Sequence, residues 1–388
     1  MLRNSFALHC VRIPDQWRTL IDCRRVGYMK RAPRLLLIMS RLNIAVIGAG
    51  YWGKKVIAQI LDLARTGDEI NLYSIADSSP IALEQCRREF GPLDYRLDYR
   101  ELLSDPKVSA VHLCSPNQTH FEIASEFLRQ GKHVLVEKPL AMKSREAYEL
   151  VRLAREHGSV LCTGHVHRFN NGVRGLRRLM ASGVLGDIYY LRLKWTGFMA
   201  VQNNREVITD LGPHPFDICN NLLETWPRKI SCNGRGYRTS AGYEMASIYA
   251  EHPGGYDTGI ELSWLDMEKH RDVTVVGSDG TAELDCIEQR LVLHRKGAVE
   301  RVMVVPNNTL REEILHFARC IEYNSSTEQY PNRADGTLGA NVVRILESTK
   351  KSLEEERTIQ VEFPRGEPVP AGEPMPGLRL PPPSIGSI

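Results

Sequence analysis

A short apolar run that ends in closely spaced glycines limits the fold of this chain more than any other feature. The run Asn-Ile-Ala-Val-Ile occupies residues 43–47, and the segment GAGYWG follows it at residues 48–53. A strand buried on both faces of a parallel sheet needs such a run. Apolar residues then recur at helical spacing from Ile57 to Ala64, so the pattern predicts a strand, a tight glycine turn and a helix.

The glycine segment fits the spacing G-x-G-x-x-G, in which each glycine has a separate physical task. Gly48 permits the tight turn, Gly50 lets the main chain approach a pyrophosphate, and Gly53 lets the helix pack closely on the strand. Unpaired N–H groups and the partial positive charge of the helix N-terminus favour a phosphate there. We therefore predict a dinucleotide-binding loop, with Tyr51 and Trp52 between the glycines as further contacts.

Asp77 closes the next apolar stretch, NLYSIAD at residues 71–77. A carboxylate at the end of the second strand accepts hydrogen bonds from ribose hydroxyls and repels a 2′-phosphate, so it favours NAD over NADP as the cofactor. A structural role is the alternative, because Ser78, Ser79 and Pro80 follow and an aspartate here also suits a turn or a helix cap. The two roles are compatible.

Strand-like and helix-like segments alternate as far as about residue 165. Strands are expected at 43–47, 71–77, 108–114, 133–137 and 160–166, with helices that include 80–90, 119–130 and 144–157. This alternation predicts a doubly wound parallel sheet with helices on both faces, a Rossmann domain over residues 41–165.

The pattern changes over residues 166–362, where strand-like stretches follow one another with few helices. They lie at 188–197, 229–237, 244–252, 258–265, 271–278 and 280–286, ahead of an amphipathic helix around residues 338–346. Such crowding predicts a second, substrate-binding domain built on a mostly antiparallel, open-faced sheet with helices on one side.

Both ends of the chain are expected to lie outside the folded protein. Residues 1–40 carry many Arg and Lys but only Asp15 and Asp22 as acids. This bias is typical of a transit peptide, but an overlong gene start before Met39 is the interpretation we favour. Residues 363–388 are rich in Pro and Gly, which predicts a disordered tail.

Composition excludes several classes of protein. The net charge is +3 with the two signs interspersed, so a nucleic-acid-binding stripe is not expected. No run of eighteen apolar residues occurs, so no membrane span is expected. The nine cysteines form no CxxC pair or His/Cys cluster with metal-ligand spacing. We therefore predict no metal site and reduced, mostly buried thiols in the cytoplasm.

Four segments together resemble the Gfo/Idh/MocA family, named after glucose–fructose oxidoreductase and inositol dehydrogenase. They are Glu137-Lys138-Pro139 within GKHVLVEKPLA, GHVHRFN (164–170), DLGPHPFD (210–217) and LREEILHFARCI (310–321). The resemblance extends over about residues 43–360. It implies an NAD(P)-dependent dehydrogenase acting on a secondary hydroxyl of a sugar, nucleotide sugar or cyclic polyol, and a homodimer or homotetramer formed through the sheet of the second domain.

The resemblance also implies a catalytic trio of Lys138, Asp210 and His214. Lys138 would orient the hydroxyl, His214 would transfer its proton and Asp210 would position both. Independently of the family, Lys138 lies at the carboxyl end of a predicted strand, where α/β sheets bind ligands. Asp210 and His214 are four residues apart and so would share a helix face, although Pro213 and Pro215 limit this to a first turn or a preceding loop. The sequence leaves open whether Lys138 or His214 is the base.

Further cofactor contacts are implied by the same resemblance, each with a structural role as the alternative. Those predicted to surround the nicotinamide and its ribose are Ser115, Pro116, Asn117, His120, Glu137, Lys138 and Arg168, with Asn170 beside them. His120 equally suits the start of a helix, and Asp217 equally suits a cap or an ion pair.

The substrate is less narrowly defined than the reaction. Residues 205–223 and 263–289 resemble the UDP-N-acetylglucosamine 3-dehydrogenase-like clade, but Asp266-Met267-Glu268 stands where that clade usually carries proline. Two other functions stay open: an enzyme that retains NAD and uses transient oxidation for epimerisation, elimination or glycoside cleavage, and a non-catalytic dinucleotide sensor.

Overall fold

The structure is a computed structural model that describes residues 41–68, 70–201, 206–238, 242–323 and 330–364. The expectations for residues 1–40 and for nearly all of the 363–388 tail lie outside these ranges. Within the described ranges, no helix combines the length and the apolar character that crossing a membrane requires.

The first sheet has six parallel strands, and its order is β3-β2-β1-β4-β5-β6. Its strands are β1 (Leu42–Ile47), β2 (Ile70–Ala76), β3 (Tyr95–Arg96), β4 (Ala110–Leu113), β5 (His133–Val136) and β6 (Leu161–Thr163). They are connected by α1 (Tyr51–Thr66), α2 (Pro80–Phe90), α3 (His120–Arg129) and α4 (Ser144–Glu156). The order reverses between β1 and β4, and at such a switch point the strand ends open into a crevice that binds ligands.

The second sheet has nine strands in the order β14-β13-β12-β11-β7-β10-β9-β8-β15. They are β7 (Ile188–Thr196), β8 (Lys229–Arg235), β9 (Met245–Glu251), β10 (Asp257–Ser263), β11 (His270–Gly277), β12 (Thr281–Asp285), β13 (Arg290–Arg295), β14 (Ala298–Val302) and β15 (Ile359–Gln360). β7 and β10 pair in parallel, and the other pairings are antiparallel. The predicted fold class, a Rossmann sheet followed by a mostly antiparallel sheet, is confirmed.

One face of this second sheet is covered and the other is open. The covered face packs on helices α5 (Asn171–Ala181), α6 (Val207–Leu211) and α7 (Pro213–Leu223). On the open face Tyr190 and Tyr249 are 38% and 47% exposed. The buried and exposed residues alternate along β9, as expected for a strand with one solvated face.

The last two helices return to the first sheet. α8 (Thr309–Glu322) contributes Ile314, Phe317 and Cys320 to the apolar core under α1 and α2. α9 (Gly336–Glu354) contributes Ala340 and Val343 to the core on the opposite face. Because α9 also packs on the second sheet through Val342, Ile345 and Leu346, one helix joins both cores.

Several elements were not predicted from the sequence, and each lacks a strong local signal. β14 has the sequence Ala-Val-Glu-Arg-Val and is largely exposed, because it is an edge strand that packs on little. α5 contains two glycines and three arginines, a composition that hides its apolar face. Its apolar side chains are nevertheless buried in the core, so tertiary packing outweighs the low helix propensity.

The cysteines of the described residues are free, and all except the half-buried Cys114 are buried. They are Cys86, Cys114, Cys162, Cys219, Cys232, Cys286 and Cys320, whereas Cys10 and Cys23 lie outside the described ranges.

His252 makes a testable contribution to the pH dependence of stability. It is 1% exposed between Thr225 and Thr258, and burial lowers its pKa from 6.5 to about 3. Below pH 6.5 the unfolded chain therefore binds a proton at His252 that the folded chain does not bind. The free energy of unfolding accordingly falls as the pH is lowered. Between pH 7 and pH 5 the parent protein should lose about 2 kcal/mol more of its free energy of unfolding than the variant His252→Gln loses.

Urea unfolding at both pH values measures this difference. His294→Gln, which changes an exposed histidine on β13, is the matched control and should follow the parent. Equal losses in the parent protein and His252→Gln would show that His252 does not contribute.

Candidate active site

The glycine loop between β1 and α1 is shaped by two close approaches. Gly48 has a φ of +101°, in the region that favours glycine, and a Cβ there would lie 2.6 Å from the carbonyl of Cys114. A Cβ on Gly53 would lie 1.9 Å from the carbonyl oxygen of Gly48. At Gly50, by contrast, a Cβ would meet no atom within 4 Å, so the loop leaves open space where α1 begins. Such a cradle fits a diphosphate.

Asp77 at the end of β2 is tied to this loop. Its Oδ2 accepts a hydrogen bond from the Ala49 amide at 2.7 Å, and its Oδ1 accepts one from the Ser79 amide at 2.8 Å. The cap of α2 is Ser79 itself, whose hydroxyl accepts from the Ala82 amide. Asp77 therefore fixes the loop and is half-buried beside it, and its contact with a ribose stays a prediction.

Glu137 at the end of β5 is held by side chains from the glycine loop and from β4. Trp52 Nε1 donates to its Oε1 at 2.5 Å, and His112 Nε2 lies 3.2 Å from the same oxygen. Burial alone would raise the pKa of Glu137, but the contacts with His112 and Trp52 lower it overall. Cys114 also lies close. The possible metal-ligand atoms of His112, Cys114 and Glu137 are within 4.8 Å of one another. The hydrogen bonds to Glu137 already account for this cluster without an ion.

Lys138 and Asp210 meet across the two domains. Lys138 follows β5 and precedes a cis peptide bond to Pro139. Its Nζ donates to the Asp210 main-chain oxygen at 2.7 Å and lies 3.5 Å from Asp210 Oδ1. The side chains are 19% and 16% exposed, so this pair is only partly solvated. Burial of that degree makes a charged hydrogen bond stronger than it would be at the surface.

Asp210 and His214 lie on either side of a break between two helices. Asp210 is in the last turn of α6, and His214 is the second residue of α7, after Gly212 and Pro213. Proline lacks an N–H donor and fits the first position of a helix, so α6 ends and α7 begins here. The expectation of a first turn at His214 is met, but the two residues do not share one continuous helix.

His214 is packed among aromatic side chains. The His167 ring contacts it edge-on at a centroid distance of 5.0 Å, and Trp195 lies 6.2 Å away. Its Nδ1 is buried and finds no hydrogen-bond partner in the described part of the chain. Burial, and then the positive charge of Lys138, lower the pKa of His214 well below its ordinary value. The imidazole is therefore neutral at neutral pH and able to accept a proton.

These groups line one cleft of about 580 Å³ between the domains. Those expected from the sequence are Tyr51, Trp52, Ser115, Asn117, Glu137, Lys138, Asn170, Asp210 and His214. Others were not expected: His167, Arg271, Gln289 and Asn307. Only the three-dimensional packing of the second domain against the strand ends brings them here, although His167 lies inside the GHVHRFN segment.

Pro116, His120 and Arg168 are not among the residues that line this cleft, and neither are Asp77 and the loop glycines at 48, 50 and 53. His120 is buried, with Nδ1 2.9 Å from the Pro139 carbonyl oxygen and Nε2 3.0 Å from that of Ser115. It holds the two strand-end loops together. Arg168 points away from the cleft, and its Nε donates to Asp217 Oδ1 at 2.5 Å. Asp217 accordingly forms an ion pair, one of the two roles expected for it.

Comparison with known proteins places this geometry in a family. Residues 42–165 match the model described as an oxidoreductase family with an NAD-binding Rossmann fold, and residues 173–283 match the model described as the GFO/IDH/MocA C-terminal domain. The chain belongs to the Gfo/Idh/MocA family of oxidoreductases. The predicted family, the oxidoreductase class and the NAD-binding domain are thereby confirmed.

Individual members of the family differ in how much of this chain they match. D-glucoside 3-dehydrogenase of Escherichia coli is 31% identical over 222 residues, which cover 55% of this chain and 62% of that protein. UDP-N-acetylglucosamine 3-dehydrogenase of Acidithiobacillus ferrooxidans is 25% identical over 329 residues, covering 81% and 98%. Its solved structure superimposes with a TM-score of 0.71 at 23% identity, over 81% of this chain and 98% of that one.

A third similar structure is an oxidoreductase from Agrobacterium radiobacter in complex with NAD+, L-tartaric acid and magnesium. It has a TM-score of 0.73 at 17% identity and covers 83% of this chain and 98% of that one. At this identity the likeness concerns the fold alone.

Proposed function

We propose that this protein oxidises a secondary hydroxyl of a sugar, nucleotide sugar or cyclic polyol, or catalyses the reverse reduction, with a nicotinamide dinucleotide. The observation that carries the proposal is the convergence of three groups in one cleft beside the glycine loop: the ammonium of Lys138, the carboxylate of Asp210 and the neutral imidazole of His214. An alcohol loses a proton and a hydride when it becomes a ketone, and the nicotinamide ring supplies the hydride acceptor.

We assign the proton to His214 and the positioning to the other two residues. A neutral imidazole has a lone pair free to take the hydroxyl proton, and an ammonium within hydrogen-bond reach stabilises the developing alkoxide. Asp210 holds Lys138 through its main-chain oxygen and its carboxylate, which keeps the ammonium directed into the cleft. Gly48, Gly50 and Gly53 would cradle the diphosphate, with Asp77 beside the adenosine ribose.

Two cations of the second domain support a substrate that carries a negative charge, as nucleotide sugars do. Lys269 and Arg271 line the cleft opposite the glycine loop. Burial, and then the charge of Arg271, lower the pKa of Lys269, so the two cations are close enough to repel each other. An anion between them would relieve that repulsion.

Replacing the proton-transfer groups tests the proposed chemistry. We expect Lys138→Ala and His214→Ala each to lower kcat by roughly a thousandfold, since a positioned acid or base contributes about 10²–10⁴ to a rate. NAD binding should stay within a few-fold of the parent protein, because neither side chain belongs to the glycine loop. The assay is absorbance of reduced cofactor with NAD and a panel of UDP-sugars, inositols and free hexoses.

Lys143→Ala, an exposed lysine just before α4, and His294→Ala serve as the matched controls and should retain full activity. Full turnover in both active-site variants would refute the assignment. Consumption of a sugar without free reduced cofactor would favour the NAD-retaining alternative. Binding of NAD with no turnover of any panel member would favour the sensor.

The cofactor preference is tested at Asp77. We propose NAD as the natural cofactor because the Asp77 carboxylate faces the loop that would hold the adenosine half. Asp77→Ala should narrow the preference for NAD over NADP by about tenfold, the effect of one lost charged hydrogen bond. Asp77→Asn keeps an acceptor for the Ala49 amide but removes the charge, so it separates repulsion of the 2′-phosphate from damage to the loop. If the ratio of kcat/KM with NAD to kcat/KM with NADP is unchanged in both variants, Asp77 has only a structural role.

We further propose that the protein forms a homodimer or homotetramer through the open face of the second sheet. This face carries exposed Tyr190 and Tyr249, and aromatic residues are enriched in such interfaces. Light scattering should give a multiple of the chain mass. The variant Tyr249→Glu should dissociate the oligomer, because the interface would bury an unpaired charge. Ile81→Glu, on exposed α2 of the other domain, should leave the mass unchanged. A monomeric parent protein would rule this interface out.

We propose the cytoplasm as the location, on the basis of its thiols. The free cysteines of the described ranges are buried or half-buried and are not joined as disulfides. This is the usual state of cysteines in a reducing compartment.

A further inference from the structure

A second cavity lies on the helical side of the second domain and is lined by arginines. Its volume is about 580 Å³. It lies between α5, α7 and the segment that precedes α9, and its lining residues are Arg168, Arg174, Arg177, Arg178, Ala181, Asn221, Glu224 and Arg333. None of these residues lines the candidate active site.

Positive charge exceeds negative charge in this cavity. Two of the five arginines are paired, Arg168 with Asp217 and Arg177 with Glu224. Arg174, Arg178 and Arg333 have no carboxylate within ion-pair distance in the described ranges, and Glu224 is the one acid in the lining. In the described ranges these three guanidinium groups thus form no ion pair, and the carboxylate of Glu312 acts on Arg174 only from beyond that distance.

These cations lie close enough to affect one another. Burial, and then the charge of Arg333, lower the pKa of Arg174. Burial, and then the charges of Arg168 and Arg333, lower the pKa of Arg177. Arg174 and Arg177 are half-buried and Arg178 and Arg333 are exposed. Like charges held near one another raise the free energy of the empty cavity, and a bound anion offsets that repulsion.

We propose that this arginine cavity binds a small anion that carries at least two phosphate groups, such as inorganic pyrophosphate or the diphosphate of a nucleotide. Guanidinium groups bind phosphate oxygens through paired N–H donors, and three guanidiniums that form no ion pair in the described ranges offer enough positive charge for two phosphate groups. A concave cavity of this volume suits a small molecule. Nucleic acid would instead follow an extended basic stripe.

The arginine cavity is separate from the dinucleotide site but adjoins it through one short turn. In the turn Val166–Phe169, His167 points into the cleft against His214, whereas Arg168 lines the arginine cavity. The proposal does not depend on the proposed function, because Arg174, Arg178 and Arg333, which carry it, are assigned neither to catalysis nor to NAD.

The test is calorimetric titration of the full chain with inorganic pyrophosphate at low and constant ionic strength. NAD is present at saturation, so that the glycine loop is not available to pyrophosphate. We expect the parent protein to bind pyrophosphate, and the double variant Arg174→Gln/Arg178→Gln to bind it at least about tenfold more weakly, since each charged hydrogen bond contributes about that much. The charge-matched control Arg65→Gln/Arg301→Gln changes two exposed arginines elsewhere and should bind like the parent protein.

Thermal unfolding first establishes that both double variants are folded, so that their affinities for pyrophosphate can be compared. No binding by the parent protein, or equal binding by the two double variants, would overturn the proposal. So would an oligonucleotide that binds and is not displaced by pyrophosphate. ADP in place of pyrophosphate identifies the source: equal affinity means that the phosphates alone are recognised, and tighter binding means that the nucleoside is recognised too. If the chain does not bind NAD, the dependence on Arg174 and Arg178 still tests the cavity, so the two proposals fail separately.

Discussion

The ammonium of Lys138 lies 2.7 Å from the main-chain oxygen of Asp210, and this contact joins the end of a first-domain strand to the second domain. A lysine with so little exposure needs an acceptor, because burying an unpaired charge is strongly unfavourable. The acceptor exists because α6 ends at Leu211, just after Asp210, where the last carbonyl oxygens of a helix have no partner within it. The break between α6 and α7 is thus what allows one segment to present a carbonyl to Lys138 and, three residues after α6 ends, an imidazole to the same cleft.

Keeping that contact in register requires the two domains to be fixed relative to each other. α9 does this by packing on both cores, with Ala340 and Val343 against the first sheet and Ile345 and Leu346 against the second. The burial of these side chains is non-directional, so it sets the separation of the domains. Directional contacts such as Tyr148 Oη to Asn341 Oδ1, at 2.8 Å, set the rotation of the helix.

Much of the first domain could be predicted from the sequence, because its signals are local. The apolar run at β1, the glycines and the cap residues before α2 each specify structure within a few residues, and α2 has the predicted bounds Pro80–Phe90. The trio in the cleft was predictable only through resemblance to a family. No sequence signal within a few residues indicates that the end of β5 faces the start of α7. His167 and Arg271 were missed for the same reason, since their place in the cleft depends on how the second sheet packs.

Burial has opposite consequences for the two kinds of charged residue around the cleft. Glu137 stays ionised because Trp52 and His112 satisfy it, so a negative charge is kept at the first-domain wall despite desolvation. His214 Nδ1 has no hydrogen-bond partner among the described residues, and burial together with the charge of Lys138 lowers its pKa, so the ring is neutral. Desolvation therefore leaves an anion at Glu137, where hydrogen-bond donors offset it, and a neutral imidazole at His214, where the charge of Lys138 adds to it, and both side chains line one cleft. In the reaction we propose, the base must be unprotonated before the alcohol arrives, and a neutral His214 meets that condition.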